Sequence, residues 1–449
     1  MSGQLRIFAS DVEAELSGRL DRSLLVRAVD ADLGMLAGLV GGADDVVAVD
    51  CSAGRPGEGD AKTGLAARWR LRARLRELGI ACARPVAVDR DAGRLHWDGE
   101  VDASSVEGIT PWAWTPRSQR LFAPILAARE DASSDAIDAA LRGRIEAGRA
   151  LGDKGRVPAL RAAIGAPGGA LVGELEPLLA AWAAADARGE AWIVKARWGG
   201  SGRDATRLWP GRGEPSASQL GWLRQTLERQ GGLVTERFFA RRRDLGLLLA
   251  PDADGKVQVA APHQTLCELR GGFRGLVVRP PGAPALLDRA AALRTVAVAK
   301  ALRAACAAHG HVGAAGVDLI ERLDDGVDPL PWPVEINARW TIGHVGLGLG
   351  RSLAIGAVGV LLILGPADAR DAGRSLDALA RNLETALPPD AGLDGLRQGA
   401  IPLGVGGGAI APILLVARDT ATIAEVCAAM GLRVAAPGWP DLAPLGAPS

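Results

Sequence analysis

Two short apolar segments, GVDLIE and PVEINAR, carry polar side chains whose types and spacing fit a metal site. Residues i and i+2 of a β-strand point to the same side, so Glu335 and Asn337 project together, and Arg339 joins them if the strand continues. Asp318 reaches the same surface if the two segments pair as a hairpin. Such oxygen donors suit Mg²⁺ and not Zn²⁺, and Mg²⁺ held by few protein oxygens usually also binds phosphates. The pattern therefore predicts a magnesium–nucleotide site.

A lysine in a third apolar segment, AWIVKARWGGSGRD, predicts where the phosphates lie. Lysine is scarce in this chain, and arginine supplies most of the positive charge, so a remaining lysine is more often one whose compact ammonium group is needed. Lys195 leads directly into a glycine-rich turn whose backbone amides can approach phosphate oxygens closely. Lys154, in LGDKGRV at the start of a helix, is the second candidate. The turn itself comprises Gly199, Gly200, Ser201 and Gly202.

The composition excludes several classes of function. The formal net charge is zero, which does not favour a nucleic-acid-binding surface. The five cysteines are scattered without paired spacing, as expected for reduced thiols in the cytosol. The N-terminus becomes acidic too early for a signal peptide, and the longest apolar run, residues 352–365, is too short to cross a bilayer and predicts a buried helix. We therefore expect a soluble, cytoplasmic protein with no membrane or nucleic-acid partner.

The elements that must position these residues alternate between strand and helix, which predicts an α/β fold with two or three domains in 449 residues. Strands at 44–51 and 80–89 flank a helix at 62–79, whose arginines are expected on a solvated face. Helices continue to about residue 187, before the strand of Lys195. The remaining predicted elements are strands within 232–264 with a hairpin turn at residues 254–255, a helix at 287–310, the hairpin of Asp318 and Glu335, and a strand at 410–417.

The order of the polar residues along the chain resembles that of the ATP-grasp ligases, a family that includes D-alanine–D-alanine ligase, biotin carboxylase and carbamoyl-phosphate synthetase. The resemblance covers roughly residues 115–365, and it implies an α/β fold of the α+β ATP-grasp kind. It also implies an N-terminal α/β domain (1–115), an ATP-grasp domain (116–365, with lobes at about 116–235 and 236–365) and a small C-terminal α/β unit (366–449). The residues that carry it are Lys154, Lys195, the glycine turn, Glu236, Asp318, Glu335 and Asn337.

The resemblance implies a role for each of these residues. Lys154 and Lys195 would hold the phosphates of ATP beneath the glycine turn. Glu236, in VTERFF, would lie at the adenine, and Asp244 would lie at the ribose. The three oxygen donors of the hairpin would bind Mg²⁺, or Mn²⁺ in its place. Arg339 is placed as in the carboxylase branch of the family and would lie beside the reacting acyl phosphate, with Lys195 as the other catalytic residue.

The implied reaction is the ATP-dependent activation of a carboxylate as an acyl phosphate, which an amine or another nucleophile then captures. Positioning and charge neutralisation carry such a reaction, so no side-chain nucleophile is needed. Two alternatives stay open: an ATP-binding regulatory protein without turnover, and a bicarbonate-using carboxylase or carbamoyl-type enzyme. Small-molecule carboxylate and amine substrates are the expected partners. The oligomeric state is open, although related enzymes are often dimers.

Candidate substrate residues are chosen by charge and placement. Arg270, Arg274 and Arg279 could bind a substrate carboxylate. Trp340 and His344 follow the strand that carries Glu335 and Asn337, and both could form walls of the substrate site. Gly316 stands where the peptide-ligase branch of the family carries an arginine. Arg339 or Arg279 would therefore have to take the role of that arginine. Ala196 departs from the family in a similar way, since proline often follows the strand lysine there.

Each motif also has a plain structural interpretation. The acid–amide pair could be an exposed hairpin face, Lys195 a strand-edge lysine, and Lys154 part of a helix start. His309 and His311 lie at a helix end and have no evident third ligand, so capping or solvent exposure is favoured over metal binding. The segment GRPGEGDAKTG resembles a P-loop but lacks the glycine directly before the lysine, and GLGLGRS lacks the strand–helix–strand setting of a dinucleotide loop.

Overall fold

The structure is a computed structural model of the 449-residue chain. It describes all residues except 1–2, 18–22, 51–60, 90–92, 98–100, 102–105, 131–132, 167, 201–203, 252–256, 261, 269–270, 285, 324–330, 407 and 433–449. Three β-sheets with helices packed against them confirm the predicted α/β class. The domain boundaries at 115 and 365 stay predictions.

The N-terminal sheet has five strands in the order β4-β3-β2-β1-β5. Neighbouring strands are parallel except at β3–β4. The strands are β1 (Gln4–Ile7), β2 (Val46–Asp50), β3 (Arg84–Asp89), β4 (Arg94–His96) and β5 (Gly108–Pro111). Its helices are α1 (Val12–Leu16), α2 (Leu24–Leu33), a 3-10 helix (Gly34–Leu39) and α3 (Ala61–Glu77). Both faces of this sheet are covered, as parallel sheets require.

The arginines of α3 do not all lie on a solvated face, so that prediction was wrong for Arg68. The Arg68 side chain is buried, at 2% exposure. Its Nη2 donates to the carbonyl of Ala31 at 3.1 Å, and its Nη1 donates to that of Gly64 at 3.0 Å. These backbone carbonyls compensate the cost of burying the guanidinium.

A second sheet has four antiparallel strands in the order β6-β9-β7-β8. They are β6 (Ala170–Val172), β7 (Trp192–Ala196), β8 (Ala205–Leu208) and β9 (Leu233–Arg237). Before this sheet come α4 (Pro116–Glu130), α5 (Ser134–Gly152), a 3-10 helix (Lys154–Arg156) and α6 (Val157–Ala163). Two further helices, α7 (Leu175–Ala187) and α8 (Ala217–Gln230), share an apolar core with the strands of this small sheet.

The large sheet follows the order β15-β14-β10-β12-β13-β16-β19-β18-β17, and β11 also pairs with β10. Its first strands are β10 (Arg241–Pro251), β11 (Val257–Val259), β12 (His263–Cys267), β13 (Phe273–Val278), β14 (Ala315–Arg322) and β15 (Pro331–Asn337). The others are β16 (Val358–Leu364), β17 (Asp390–Gly392), β18 (Gly395–Pro402) and β19 (Ala411–Ala417). The helices of this region are α9 (Arg289–Ala308), α10 (Ile342–Gly350), α11 (Pro366–Asp371), α12 (Leu376–Ala386) and α13 (Thr420–Ala429).

Alternation along the strands gives the large sheet two different faces. On one face, Leu247, Val317 and Ile336 pack with Val298 and Leu302 of α9 in a dry core. Successive side chains of a strand alternate between faces, so the neighbours Gly246, Asp318 and Glu335 point to the other face. The sheet therefore presents the predicted metal ligands on the face opposite its α9 core.

The apolar run 352–365 does not form the predicted buried helix, and this prediction was wrong. Its second half is strand β16, which lies between β13 and β19 and is buried on both faces. A strand buried on both faces reads as a continuous apolar run, so periodicity cannot separate it from a short buried helix. Strands β18 and β19 extend the same sheet, so residues after 366 continue it.

Within the described part of the chain, none of the helices combines the length and the apolar character that a bilayer crossing needs.

Candidate functional site

Strands β14 and β15 form the predicted antiparallel hairpin. Asp318 lies opposite Glu335, and Gly316 lies opposite Asn337. The Nδ2 of Asn337 donates to Oδ2 of Asp318 at 3.2 Å. The three oxygen-bearing side chains therefore lie together on one face of the large sheet, as their spacing predicted.

A β-bulge in this hairpin exposes two backbone carbonyls to the small-sheet side. The register of β14 and β15 shifts beyond Asp318, so that Leu319 pairs with Pro333 and Val334 is the extra residue. The Val334 carbonyl accepts a hydrogen bond from Lys195 Nζ at 3.2 Å, and the Pro333 carbonyl accepts one from Arg161 Nε at 2.7 Å. Bulges commonly redirect a strand next to a functional site. Here the bulge brings Lys195 of the small sheet and Arg161 of α6 into direct contact with β15, which carries the predicted ligands Glu335 and Asn337 and is called the metal strand.

Lys195 lies on β7 of the small sheet and is diagonal to Glu236 on the neighbouring strand β9. The ammonium group of Lys195 forms an ion pair with Glu236. The second oxygen of Glu236 pairs with Arg161, whose side chain is fully buried. Burial alone would raise the pKa of Glu236, but Lys195 and Arg161 outweigh it and hold that pKa below its usual range. Glu236, predicted at the adenine, thus joins an internal network of charges.

Lys154 lies on the 3-10 helix that follows α5. It approaches the β14–β15 hairpin, which carries the predicted metal ligands and is called the metal hairpin. Its Nζ lies 3.3 Å from Oε1 of Glu335 and donates to the carbonyl of Gly199. The neighbouring Asp153 caps this turn and binds Arg197 through both carboxylate oxygens, which fixes the backbone at Lys154. Lys154 is buried at 7% exposure. One lysine therefore contacts both the glycine turn and a predicted metal ligand.

The glycine turn is described only in part. Gly199 and Gly200 are described, whereas Ser201 and Gly202 lie outside the described residues. The Gly199 carbonyl accepts the hydrogen bond from Lys154, so the turn lies against that ammonium group.

Arg339 continues the polar side of β15 and contacts the N-terminal unit. Its Nε donates to Oε1 of Glu13 at 2.8 Å, and its Nη2 lies 2.7 Å from the same oxygen. Burial would raise the pKa of Glu13, and the Arg339 guanidinium outweighs that effect and lowers it. Glu13 is a site residue that sequence reasoning missed, because no motif in the first domain indicates it.

The chemistry of the hairpin donors fits a hard divalent cation. Burial, together with the negative charge of Glu335 opposite it, raises the pKa of Asp318 to about 7. A cation between the two carboxylates would relieve this repulsion, and the Asn337 amide supplies a third oxygen. Among the described residues, no cluster of three or more His, Cys, Asp or Glu side chains could hold a metal. The predicted site has two carboxylates and one amide, which suits Mg²⁺ that keeps water and phosphate ligands.

Asp244 lies on β10, two residues from Gly246, which pairs with Asp318. It forms an ion pair with Arg241 at 3.1 Å, and its Oδ2 is buried without a hydrogen-bond partner. Burial raises the pKa of Asp244 to about 6. Asp244 lies on the same face of the large sheet as the predicted metal ligands. Its predicted contact with a ribose stays a prediction.

The predicted substrate arginines are dispersed. Arg270 lies outside the described residues. Arg274 on β13 is bound by Asp368 of α11, with one contact at 2.9 Å and a second, shorter one, so its guanidinium is committed there. Arg279 directly follows β13, is half-buried and makes no ion pair within the described residues. The predicted contact of these arginines with a substrate carboxylate stays a prediction.

The prediction that His344 forms a wall of the substrate site does not fit its surroundings, because the side chain is buried and serves a structural role. Its Nδ1 accepts from the Thr341 backbone at 3.0 Å at the start of α10, and its Nε2 contacts the Leu249 carbonyl at 3.1 Å. Both ring nitrogens are therefore engaged by the protein. Burial lowers the pKa of His344 to about 3. Trp340 packs edge-on against this ring, with centroids 4.9 Å apart.

Sequence reasoning also missed Arg161 and His263. Arg161 carries no motif that separates it from the many other arginines of the chain. His263 lies on the metal-site face of β12, opposite Gly246, and its Nδ1 is buried without a partner. Burial lowers the pKa of His263 to about 4. The pairing of β12 with β10, which is not visible in the sequence, brings this ring against Gly246 of β10, the strand that lies between β12 and the hairpin.

No protein-family model matches the chain, and none of the curated proteins matches it. Similar solved structures include biotin carboxylase from Campylobacter jejuni, with a TM-score of 0.48, 13% identity and coverage of 94% of this chain and 89% of that one. N5-carboxyaminoimidazole synthetase from Staphylococcus aureus, complexed with ADP, has a TM-score of 0.47 and 12% identity, with coverage of 96% of this chain and 97% of that one. N5-carboxyaminoimidazole ribonucleotide synthetase from Thermus thermophilus has a TM-score of 0.43 and 14% identity, with coverage of 95% of this chain and 97% of that one. Likenesses of this strength carry no weight in assigning an activity, which rests on the residues above.

Proposed function

We propose that the protein is an ATP- and Mg²⁺-dependent ligase of the ATP-grasp type, which activates a carboxylate as an acyl phosphate for capture by an amine. The observation that carries this proposal is the meeting of Lys154 and Lys195 with the metal hairpin. Lys154 contacts Glu335 at 3.3 Å, and Lys195 contacts the backbone of the same strand at Val334. Two of the chain's few lysines thus contact the strand that carries Glu335 and Asn337, one through a carboxylate and one through a backbone carbonyl.

The residues divide the work of such a reaction into two groups, the lysines with the glycine turn and the donors of the hairpin. In the first group, Lys154 and Lys195 would neutralise phosphate oxygens, with amides of the glycine turn as hydrogen-bond donors. In the second group, Asp318, Glu335 and Asn337 would hold Mg²⁺, which would supply charge neutralisation to the phosphates. Catalysis would consist mainly of positioning and electrostatic stabilisation, which matches a site built from charged and polar groups.

Arg339 is the residue to which we assign stabilisation of the reacting group. It follows Asn337 on the polar side of the metal strand, and its guanidinium lies in the electrostatic field of both Glu335 and Asp318. A guanidinium binds carboxylate and phosphate oxygens through paired N–H groups. It would therefore hold the substrate carboxylate and the transferring phosphoryl group together while negative charge builds up between them.

Both lysines already have carboxylate partners, Glu335 and Glu236. ATP binding would replace carboxylate oxygens by phosphate oxygens at each ammonium group. Such an exchange keeps the buried cations neutralised before and after binding, which avoids the large cost of an unpaired buried charge. Once released by Lys154, Glu335 would be free to bind the metal ion.

The test is a screen of amino acids and other small carboxylic acids, each with and without an amine, for ADP formation from Mg·ATP. Glu335→Gln keeps the shape of the side chain but removes a metal ligand, and we expect a loss of at least about 100-fold in ADP formation. Glu190→Gln, which breaks the exposed pair with Arg188, is the matched control and should retain the wild-type rate. Equal ADP release by the wild type and Glu335→Gln under every condition would contradict the proposal.

A further inference from the structure

Helix α1 places an acidic residue of the N-terminal unit at the predicted active site. Strand β1 is flanked by β2 on one side and β5 on the other, so the chain leaves β1 in one direction and later returns on the opposite side. In open α/β sheets, ligands bind at the carboxyl ends of the strands at such a switch point. α1 begins five residues after the carboxyl end of β1, and Glu13 is its second residue.

The two acidic residues that flank Glu13 are fixed by Arg117 of α4, a helix whose Leu121 and Phe122 pack in the core of the N-terminal sheet. Nη1 of Arg117, in α4, donates to Oδ2 of Asp11 and to Oε1 of Glu15, both at 2.9 Å. The Arg117 side chain is 10% exposed, and that of Glu15 is 2% exposed. This anchored turn holds the backbone at Glu13, whose side chain points away from Arg117 and towards the large sheet.

Glu13 binds the guanidinium of Arg339 through one of its two oxygens. Nε and Nη2 of Arg339 both contact Oε1, at 2.8 and 2.7 Å, and the two side chains are only 16% and 20% exposed. The other oxygen, Oε2, lies against the glycine turn, 3.3 Å from where a side chain at Gly200 would begin. Glu13 therefore lies between the metal strand and the turn that is predicted to cover the phosphates.

The position of Glu13 also determines where the charge of Arg339 acts. The other carboxylates whose charge acts on Arg339 are Glu335 and Asp318, which are the predicted metal ligands. Without Glu13, a largely buried guanidinium would be drawn to those carboxylates and would compete with the cation. With Glu13 in place, Nε and Nη2 of Arg339 are held on the N-terminal side and Nη1 donates to the Trp340 carbonyl at 3.3 Å, which uses three of the five guanidinium N–H groups.

We propose that Glu13 is a positioning residue of this site, which holds the Arg339 guanidinium beside the reacting groups and away from the metal ligands. The inference rests on the proposed function, because it takes Arg339 as the residue that contacts the acyl phosphate. It makes the N-terminal unit a contributor to catalysis and not only a neighbour of the site. By this proposal, the site needs the N-terminal unit and the large sheet to be docked together.

The experiment compares Glu13→Gln and Glu13→Asp with Glu190→Gln in the full chain. Glu190→Gln is the matched control, since it makes the same chemical change in a pair with the exposed Arg188 that takes no part in holding Glu13 or Arg339. We expect Glu13→Gln to lower kcat for ADP formation about 100-fold, as for a misplaced catalytic group, with KM for Mg·ATP changed less than about 3-fold. Glu13→Asp should recover part of kcat, and Glu190→Gln should retain the wild-type kcat.

A double-mutant cycle with Arg339→Lys shows whether Glu13 acts through Arg339. If it does, adding Glu13→Gln to Arg339→Lys costs far less than the same change in the wild type. Unfolding midpoints of all variants identify any loss of kcat that is caused by misfolding. An unchanged kcat in Glu13→Gln, or additive effects in the cycle, would overturn the inference and leave the proposed ligase intact. A wild type that forms no ADP with any acid would overturn the proposed function and, with it, the inference.

Discussion

At the scale of single residues, the site is a set of paired charges. Lys154 pairs with Glu335, Lys195 pairs with Glu236, and Arg339 pairs with Glu13. Each pair joins residues that are far apart in sequence, and each is largely buried. Buried pairs contribute little net stability, because desolvation offsets their attraction, but they fix geometry and make removal of one partner costly. Under the proposed function, the two lysines would exchange their carboxylate partners for phosphates, whereas Glu13 would keep its hold on Arg339.

The buried His344 predicts an acid-sensitive core. Its pKa falls from the usual 6.5 to about 3, so between these values the unfolded chain binds a proton that the folded chain does not. Stability is therefore full above about pH 6.5 and falls by about 1.4 kcal/mol per pH unit as the pH drops towards 3. His344→Gln keeps an acceptor for the Thr341 N–H and a donor for the Leu249 carbonyl but cannot titrate.

The measurement is the free energy of unfolding by urea between pH 7 and pH 4. The wild type should lose stability more steeply than His344→Gln, and the difference between the slopes should approach one proton. Titrating groups that do not interact with His344 are common to both proteins and cancel, whereas the charge of His263 acts on His344 and contributes to the difference. Parallel curves would show that His344 is already protonated in the folded protein, or that its ring is not buried in solution.

At the scale of elements, the packing of α10 against the large sheet depends on glycines. A Cβ at Gly343 would lie 2.5 Å from Cε1 and Nε2 of the His263 ring, on β12. Gly343→Ala should therefore destabilise the protein by about 1–3 kcal/mol, although alanine is the better helix former. In Gly221→Ala, the control in α8, the added methyl meets nothing within 4 Å, and helix propensity predicts a gain of up to about 1 kcal/mol.

Removing the ring isolates the cause of this loss. In a His263→Ala background, Gly343→Ala should cost much less than in the wild type, because the added methyl group meets no imidazole. Urea unfolding of the four proteins in this cycle gives the interaction energy directly. If Gly343→Ala destabilises both backgrounds equally, the strain lies in the backbone of α10 and not in its contact with His263.

The elements also show how much of the molecule could be read from the sequence. The metal hairpin was predictable, because polar residues alternate with apolar ones in strands that expose one face. The apolar run that contains β16 was not, since a strand covered on both faces loses that alternation. Arg68 and Arg161 were missed for a related reason: a linear pattern does not show which arginine is covered by a later segment. Glu13 is more than 300 residues from its partner Arg339, and local spacing carries no information about such a contact.

At the scale of the whole molecule, the N-terminal unit, the small sheet and the large sheet converge on the metal strand. Lys195 and Arg161 donate to the carbonyls of its bulge. Just beyond the strand, the backbone N–H of Trp340 donates to the backbone carbonyl of Trp112 at 2.9 Å. A ligand at this junction would stabilise three parts of the chain at once. Its effect should therefore appear as a change in global stability.

We expect a non-hydrolysable ATP analogue with Mg²⁺ to raise the unfolding temperature of the wild type. A ligand at 100 times its Kd adds about 2.7 kcal/mol if it binds only the folded chain. Asp318→Asn removes one of the two metal carboxylates and should abolish most of this gain, whereas Asp394→Asn, in the exposed pair with Arg397, should retain it. Each unliganded variant serves as its own reference. A gain of equal size in Asp318→Asn would mean that the nucleotide binds elsewhere, because a phosphate site at this junction depends on the ion that Asp318 helps to hold.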